Sequence, residues 1–456
     1  MFDNKRVHMI GIGGVSMSGI AEILLSYGCK VTGYDAKESD YTIHLRSKGV
    51  EINLEDNLDN VKNADIIVYT AAIKEDNPEL SEARRLNKEV YERGVFFGLL
   101  MKNYKNVLCI SGTHGKSTTT GMVATIFLKA EKDPTIQIGA MLPIIKGNDR
   151  VGSKDYFIAE ACEYVESYLN FFPTAEIILD IDDDHLDYFQ NIDNIIKSFN
   201  KYTKLLPEDG ILVINNDDEN TIKATLDRNN KVTYGINKDS MYMAKNITFD
   251  EVGHPAYDLY VNGEFSTQIK LNVSAMHNVY NSLAAIALAN QYIDDLEVIA
   301  KAIESYTGVG RRFEFVGNYN GALIYDDYAH HPSEILTTYN SVMGVKHTRS
   351  IAVFQSHTYS RTVQHLKEFG EVLAKFDQII IAPIYAAREE NIYNVKEENI
   401  IKEINNFGNT NAIYIDSFEK IKDYLKENIL EGDLVITIGA GTVNEVGKML
   451  LNEKES

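Results

Sequence analysis

Gly112-Thr113-His114-Gly115-Lys116-Ser117-Thr118-Thr119-Thr120 is the stretch from which the rest of this chain is read. It follows the apolar run Val107, Leu108, Cys109 and Ile110, which predicts a short buried strand. It leads into Met122, Val123, Ile126 and Phe127, which recur at helical spacing. A strand, a glycine turn and a helix N-terminus together make an anion cradle. Backbone N–H groups converge on phosphate oxygens, the helix dipole adds positive potential, Lys116 supplies a full charge, and the Ser117 hydroxyl can reach Mg2+. The general phosphate-loop pattern has a glycine five residues before the second glycine, where Ile110 stands, so this is a shortened variant. The reading is ATP or GTP binding through Gly112, Thr113, His114, Gly115, Lys116, Ser117 and Thr118.

The bulk properties narrow the class. At 456 residues the chain predicts two to four domains, and 44% hydrophobic with 24% charged residues is the composition of a globular protein. No stretch approaches the roughly 20 apolar residues that span a bilayer. The N-terminus enters a strand directly, so no signal peptide is expected. Cys29, Cys109 and Cys162 are odd in number and widely spaced, which predicts neither a disulfide framework nor a zinc site. A cytoplasmic location fits. A net charge of −21 argues against nucleic-acid and membrane partners, which need basic footprints. It also gives weight to any cation placed beside a glycine turn.

Strands alternate with helical patterns throughout, which predicts an α/β protein of three domains. A Rossmann-like first domain, 1–104, opens with strand Val7–Ile10 and the turn Gly11-Ile12-Gly13-Gly14. Strand Lys30–Tyr34 follows and ends in Asp35; another, Asp65–Tyr69, ends at Thr70. The G-x-G-x-x-G pattern is broken by Ser16, so the turn predicts a nucleotide diphosphate without saying which, nicotinamide included. A central phosphate-loop domain with a mainly parallel sheet, 105–311, ends near the glycine joint Gly308-Val309-Gly310, which suits a hinge. A C-terminal Rossmann-like domain, 312–456, carries strands at Leu323–Tyr325, Ser350–Phe354, Gln378–Ala382, Ala412–Ile415 and Leu434–Ile438.

Downstream of the loop, strand Tyr156–Ala159 delivers Glu160, with Glu163 next in Glu160-Ala161-Cys162-Glu163. A strand over Ala175–Ile181 runs into Asp182-Asp183-Asp184-His185-Leu186-Asp187. Hard oxygens with one imidazole suit Mg2+, and Ser117, Glu160 and His185 are the expected gathering point. Asn278 and Asn281, one helical turn apart in His277-Asn278-Val279-Tyr280-Asn281, fit a purine edge or simple helix capping. Arg312 lies beside the glycine joint, where it could follow a γ-phosphate. Asp326-Asp327-Tyr328-Ala329-His330-His331-Pro332 is too dense in titratable groups for an ordinary loop. His357 and Arg361 are spaced to clamp a small carboxylate.

Taken together, GTHGKSTTT (112–120), EACEY (160–164), DDDHLDYF (182–189), HNVYNSLAA (277–285), GVGRRFE (308–314), DDYAHHP (326–332), FQSHTYSRT (354–362), APIYAARE (382–389) and IGAGT (438–442) resemble the Mur ligases along essentially the full chain. The resemblance is strongest to the alanine-adding branch. It implies an ATP-dependent ligase that joins L-alanine to the lactyl carboxylate of UDP-N-acetylmuramate through an acyl phosphate, in cytoplasmic peptidoglycan precursor synthesis, acting as a monomer or homodimer. By resemblance, Gly13, Gly14, Ser16, Asp35 and Thr70 would hold the UDP-sugar. Lys116 and Ser117 would bind ATP phosphates and Mg2+, with Glu160 and His185 as further metal ligands. Asn278 and Asn281 would contact adenine, and Arg312 and Asp327 the γ-phosphate and nucleotide. His330, His331, His357, Arg361 and Tyr385 would face the amino acid or the acyl phosphate. This chain departs from the family pattern at Asp180 and Asp182, where asparagine and glutamate are usual, at Thr358, where arginine is frequent, and at Thr442.

Rival readings are a sister ligase that adds a whole peptide to the same sugar, a folylpolyglutamate synthase, a nicotinamide-dependent oxidoreductase and a nucleotide-sensing module. The Gly11–Asp35 unit disfavours the folate enzyme.

Overall fold

Parallel strands covered on both faces are apolar along their whole length rather than alternating. The chain meets that condition in three separate places. The computed structural model describes residues 2, 4–387 and 389–452; Arg388 and the side chain of Asp187, both in motifs quoted above, lie outside the described residues. By packing, the chain divides into two units. One comprises Met1–Asn246, Tyr257–Ile269 and Val279–Tyr306; the other comprises Ile247–Ala256, Lys270–Asn278 and Thr307–Ser456.

The first sheet has five strands in the order Glu51–Asn53, Lys30–Tyr34, Arg6–Ile10, Ile66–Tyr69 and Glu89–Glu92. All neighbours run parallel. Arg6–Ile10 is central, and the chain order reverses beside it. That is where open α/β sheets leave a crevice at the strands' carboxyl ends. The turn Gly11–Gly14 lies at that point and feeds the helix Val15–Ser26. Asn77 caps the helix Pro78–Arg85 by accepting the Leu80 N–H at 3.0 Å, as the Asn-Pro-Glu run predicts.

The second sheet has ten strands, from Glu264–Lys270 at one edge to Gly147–Arg150 at the other. Its middle order is Ala175–Ile178, Asn106–Ser111, Tyr156–Glu160, all parallel. Val107, Leu108, Cys109 and Ile110 are each at most 1% exposed, as expected of a central strand. Burying aliphatic side chains of this kind is worth about 1.5–3 kcal/mol each. Gly147–Arg150 runs antiparallel to Thr135–Leu142 at the edge, so the sheet is mixed. The strand expected over residues 175–181 stops at Ile178. Beyond it, the backbone and carboxylate of Asp180 are taken up by the phosphate loop.

The third sheet places six strands in the order Glu314–Tyr319, Ala322–Asp327, Asp433–Ile438, Arg349–Phe354, Gln378–Ile381, Ala412–Tyr414. The first two form an antiparallel hairpin and the rest are parallel. Asp326-Asp327, Gln355-Ser356-His357, Ala382–Tyr385 and Gly439–Thr442 therefore leave neighbouring strands at one edge. Segments Ile247–Ala256 and Lys270–Asn278 belong to this unit despite lying far upstream in sequence. Tyr325 donates its hydroxyl to the Val252 carbonyl at 3.1 Å. Among the described residues no helix is long and apolar enough to cross a membrane.

Candidate functional site

The glycine turn of the first sheet is shaped from within. Gly11 has φ +83°, and a Cβ there would sit 2.5 Å from Thr70 Cγ2, so Thr70 closes directly on the turn. Asp35 accepts the Gly13 N–H at 2.8 Å and the Lys37 N–H at 3.2 Å. Its carboxylate thus holds the turn before it holds any ligand. Gly14 starts the helix Val15–Ser26 without a side-chain cap. Beside it, Arg93 donates to the Ser16 hydroxyl at 3.3 Å. A cation therefore stands next to an uncapped helix N-terminus, an arrangement that suits an anion.

The second site is assembled by three adjacent parallel strands, whose carboxyl ends deliver Gly112–Gly115, Glu160–Glu163 and Leu179–His185 side by side. Gly112 at φ +137° and Gly115 at φ +80° take conformations open to glycine. A Cβ on Gly115 would meet Asn281 Oδ1 at 2.5 Å, so Asn281 lies against the loop. No side chain caps the helix Lys116–Lys129, which leaves its first-turn amides for another acceptor. Thr113 accepts the Asp182 N–H at 2.9 Å, and Asp180 accepts the His114 N–H at 2.8 Å. Burial pushes the Asp180 carboxyl up to about 6, against the pull of His114 and Lys116.

Lys116 curls over the loop and donates to the carbonyls of Gly112 at 2.7 Å and Thr113 at 3.0 Å, and to Glu163 Oε1 at 3.0 Å. Burial alone would lower its pKa; Glu163 foremost, with Cys162 and Asp180, outweighs that and keeps it above the ordinary lysine value. His185 has φ +52°, and its Nε2 lies 3.8 Å from both Glu163 Oε1 and Asp184 Oδ2. One ligand atom from each of Glu163, Asp184 and His185 falls within 4.8 Å of the others. Glu160, at the end of the strand Tyr156–Glu160, accepts the Gly139 N–H at 2.7 Å. Oxygen-rich donors with one imidazole fit a small divalent cation such as Mg2+ or Mn2+. Asn278 is buried and donates to the Ser274 carbonyl at 2.7 Å.

The third site is the loop edge of the C-terminal sheet. Arg311 is bound on every side. It donates to Asp326 at 2.9 Å, to the Gly441 carbonyl at 2.7 Å and to the Gly439 carbonyl at 2.5 Å. Arg312, its neighbour, is exposed with its guanidinium 5.7 Å from the Tyr328 ring centre. Asp327 accepts N–H groups of Phe313 and Ala329, and burial lifts its carboxyl to about 6 against the pull of Arg312.

Four imidazoles gather here. His331 caps the helix Pro332–Met343 by accepting the Ser333 N–H at Nδ1. Its ring meets His365 edge-on at 4.7 Å. His330 Nδ1 lies 3.1 Å from the Tyr328 carbonyl and 3.3 Å from Glu334 Oε2. Burial would raise Glu334, but His330, the backbone amides and Arg312 hold it below the ordinary value. His357 Nδ1 lies 3.3 Å from Arg361 Nη1, and its ring stacks on Tyr385 at 5.6 Å. Burial first, then Arg361 and His330, lower the His357 pKa below 6.5.

Three domain models of one family match the chain in order: the Mur ligase family catalytic domain over residues 6–105, the Mur ligase middle domain over 110–289, and the Mur ligase glutamate ligase domain over 311–441. A UDP-N-acetylmuramate–L-alanine ligase of Caldanaerobacter subterraneus subsp. tengcongensis is 44% identical, over 99% of this chain and 98% of its own. One from Acetivibrio thermocellus is 45% identical over 99% and 96%. The chain belongs to the Mur ligase family. The crystal structure of a UDP-N-acetylmuramate-alanine ligase from Thermotoga maritima superposes with a TM-score of 0.80 at 26% identity, covering 99% of both chains. The fold is the three-domain Mur ligase fold, and the protein is an ATP-dependent ligase.

Within this Mur ligase, the three sites bring together most of the residues singled out from sequence, and add others. No motif in the sequence marks Arg93, Glu334 or His365, and the motifs that contain Glu163 and Arg311 assign them no role. Arg93 meets Ser16 across 77 residues, so only the rule that cations should flank glycine turns could have pointed to it. The His330–Glu334 spacing of one helical turn was visible in the sequence, but the histidine lies before the helix and hides the pattern.

Proposed function

We propose that this Mur ligase joins L-alanine to the lactyl carboxylate of UDP-N-acetylmuramate at the expense of ATP, in peptidoglycan precursor synthesis. The observation that carries the reading is that three adjacent parallel strands deliver the loops bearing Gly112–Lys116, Glu160–Glu163 and Leu179–His185 at their carboxyl ends, in a chain 44–45% identical over its length to ligases of that name. The proposal includes domains at 1–104, 105–311 and 312–456, a cytoplasmic location, and a monomer or homodimer.

A carboxylate is a poor acyl donor because its oxide is a bad leaving group. Transfer of the γ-phosphoryl group gives an acyl phosphate, whose phosphate leaves readily. Lys116 and Arg312 offset the charge on the moving phosphoryl. Ser117, Glu160 and His185 would hold Mg2+, with Glu163 and Asp184 beside the same His185 as further oxygen donors; the ion would supply charge neutralisation to the phosphates. Gly13, Gly14, Ser16, Asp35 and Thr70 hold the UDP-sugar, with Arg93 as the nearby cation. Asn278 and Asn281 face the adenine, and Asp327 the nucleotide.

The amine of L-alanine must lose a proton before it attacks. His330 is the base best prepared to take it. A carbonyl only accepts, so the Tyr328 contact favours the His330 tautomer with its proton on Nδ1 and a lone pair on Nε2. Glu334 beside Nδ1 then balances the imidazolium, the arrangement that orients a catalytic histidine. The other two candidates carry the opposite tautomer. His331 accepts the Ser333 N–H at Nδ1, and His357 accepts from Arg361, which only donates. Arg361, His357 and Tyr385 hold the amino-acid carboxylate.

The test is phosphate release from ATP with UDP-N-acetylmuramate and, in turn, L-alanine, L-serine, glycine and a tripeptide. Release with alanine above the others is the expected result. Release with the tripeptide alone would assign the peptide-adding activity, and none with any acceptor would overturn the reading.

A further inference from the structure

Glu163 is 2% exposed, and its two oxygens have different fates. Oε1 takes the Lys116 ammonium at 3.0 Å. Oε2 is buried without a hydrogen-bond partner. A carboxylate oxygen left bare in that way is destabilising unless something else satisfies it. The same side chain belongs to the trio with Asp184 and His185, whose ligand atoms lie within 4.8 Å of one another. Donor atoms that share one cation with bonds of about 2.1–2.4 Å stand at most roughly 4.2–4.8 Å apart, and His185 Nε2 lies 3.8 Å from an oxygen of each carboxylate, so the trio is close enough to share one small divalent ion. Asp184 spends Oδ1 on the His185 N–H at 2.7 Å and keeps Oδ2 toward the His185 ring.

We propose that Glu163 is shared between Lys116 and a divalent cation, so that phosphate and cation binding are linked through one carboxylate. In the unliganded protein, Glu163 is the counter-ion of Lys116. When a triphosphate draws the ammonium onto its own oxygens, the carboxylate loses that partner in a buried setting where an unpaired charge is costly. A divalent ion beside His185 and Asp184 replaces the lost positive charge. The triphosphate part rests on the function proposed above; the sharing itself does not.

Mn2+ binding to the nucleotide-free protein, followed by the loss of the free-ion electron paramagnetic resonance signal, tests it in a double-mutant cycle. Lys116→Met frees Glu163 and is expected to tighten Mn2+ about tenfold. Glu163→Gln is expected to weaken Mn2+ about tenfold, and in that background Lys116→Met should change affinity less than twofold. A mere loss of positive charge would tighten Mn2+ equally in both backgrounds, and that result would overturn the proposal. So would wild-type affinity in Glu163→Gln. Should Lys116→Met fail to fold, the unmutated protein still answers. Saturating Mn2+ should speed acylation of Lys116 several-fold by releasing its ammonium, and an unchanged rate counts against the sharing. Phosphate release by the wild-type enzyme with sugar, ATP and alanine is scored separately, so failure of the function and failure of the sharing are distinct.

Discussion

At the scale of single residues, paired arginines show how partners divide the work. Arg311 spends each of its three guanidinium nitrogens on Asp326 or a carbonyl of the 439–441 loop. Arg311→Ala leaves the buried Asp326 without its counter-ion, with only the Thr437 hydroxyl still bound among the described residues, and should cost about 3–5 kcal/mol, seen as a clear drop in apparent Tm. Arg312→Ala should leave Tm within about a degree and lower kcat/KM for ATP by at least about a hundredfold, the scale of one lost transition-state donor. Arg361→Ala should raise the KM for L-alanine about tenfold or more with a smaller effect on kcat; unchanged alanine kinetics would remove Arg361 from the carboxylate site. His330→Gln should lower kcat by about 10² to 10⁴, the range for a general base. Full activity in that variant would move the role to another imidazole.

Among the elements, the strand Ala175–Ile178 carries an anomaly. Glu176 is fully buried between Cys109 and Leu212 on the neighbouring strands, and neither carboxylate oxygen has a hydrogen-bond partner. Burial drives its pKa well above the ordinary value, against the pull of Arg228. The folded state therefore holds a proton that the unfolded chain gives up above about pH 4.3. Its contribution to stability is full below that pH and is lost as pH rises toward the raised value, at about 1.4 kcal/mol per pH unit. Glu176→Met removes both the bare oxygens and this slope. The variant should melt several degrees higher, with a larger gain at pH 8 than at pH 5, in thermal scans at both pH values. A gain independent of pH would mean that Glu176 is not protonated in the fold. The helix Lys116–Lys129, by contrast, behaves as its sequence suggests. Glycine opens it, no side chain caps it, and its apolar face from Met122 to Phe127 is buried.

For the molecule as a whole, a net charge of −21 opposes the approach of nucleotides that are themselves polyanions. Raising ionic strength from about 20 to 150 mM shortens the screening length to about 8 Å, so kcat/KM for the UDP-sugar should rise, by about twofold. A steady fall would mean that local cations, Arg93 and Lys116 among them, dominate the field. Much of the fold was legible from sequence because parallel strands must be apolar throughout and glycine turns must follow them. The strands around Val107, Tyr156, Ser350 and Leu434 could be placed that way. Their order in the sheets could not, nor could the antiparallel edge at Gly147–Arg150 or the grouping of Ile247–Ala256 with the C-terminal unit. Those depend on pairings between distant segments. The sequence by itself determined the phosphate loop, the three-domain α/β plan and the kind of chemistry, since each is written in residues within a few positions of one another. Only the tertiary structure decided that Glu163 meets Lys116, that Arg311 is consumed while Arg312 is exposed, and that the Tyr328 carbonyl and Glu334 both flank Nδ1 of His330. Each of those turns on a contact made through space, with partners such as a carbonyl or a carboxylate that every chain has in abundance and no motif marks.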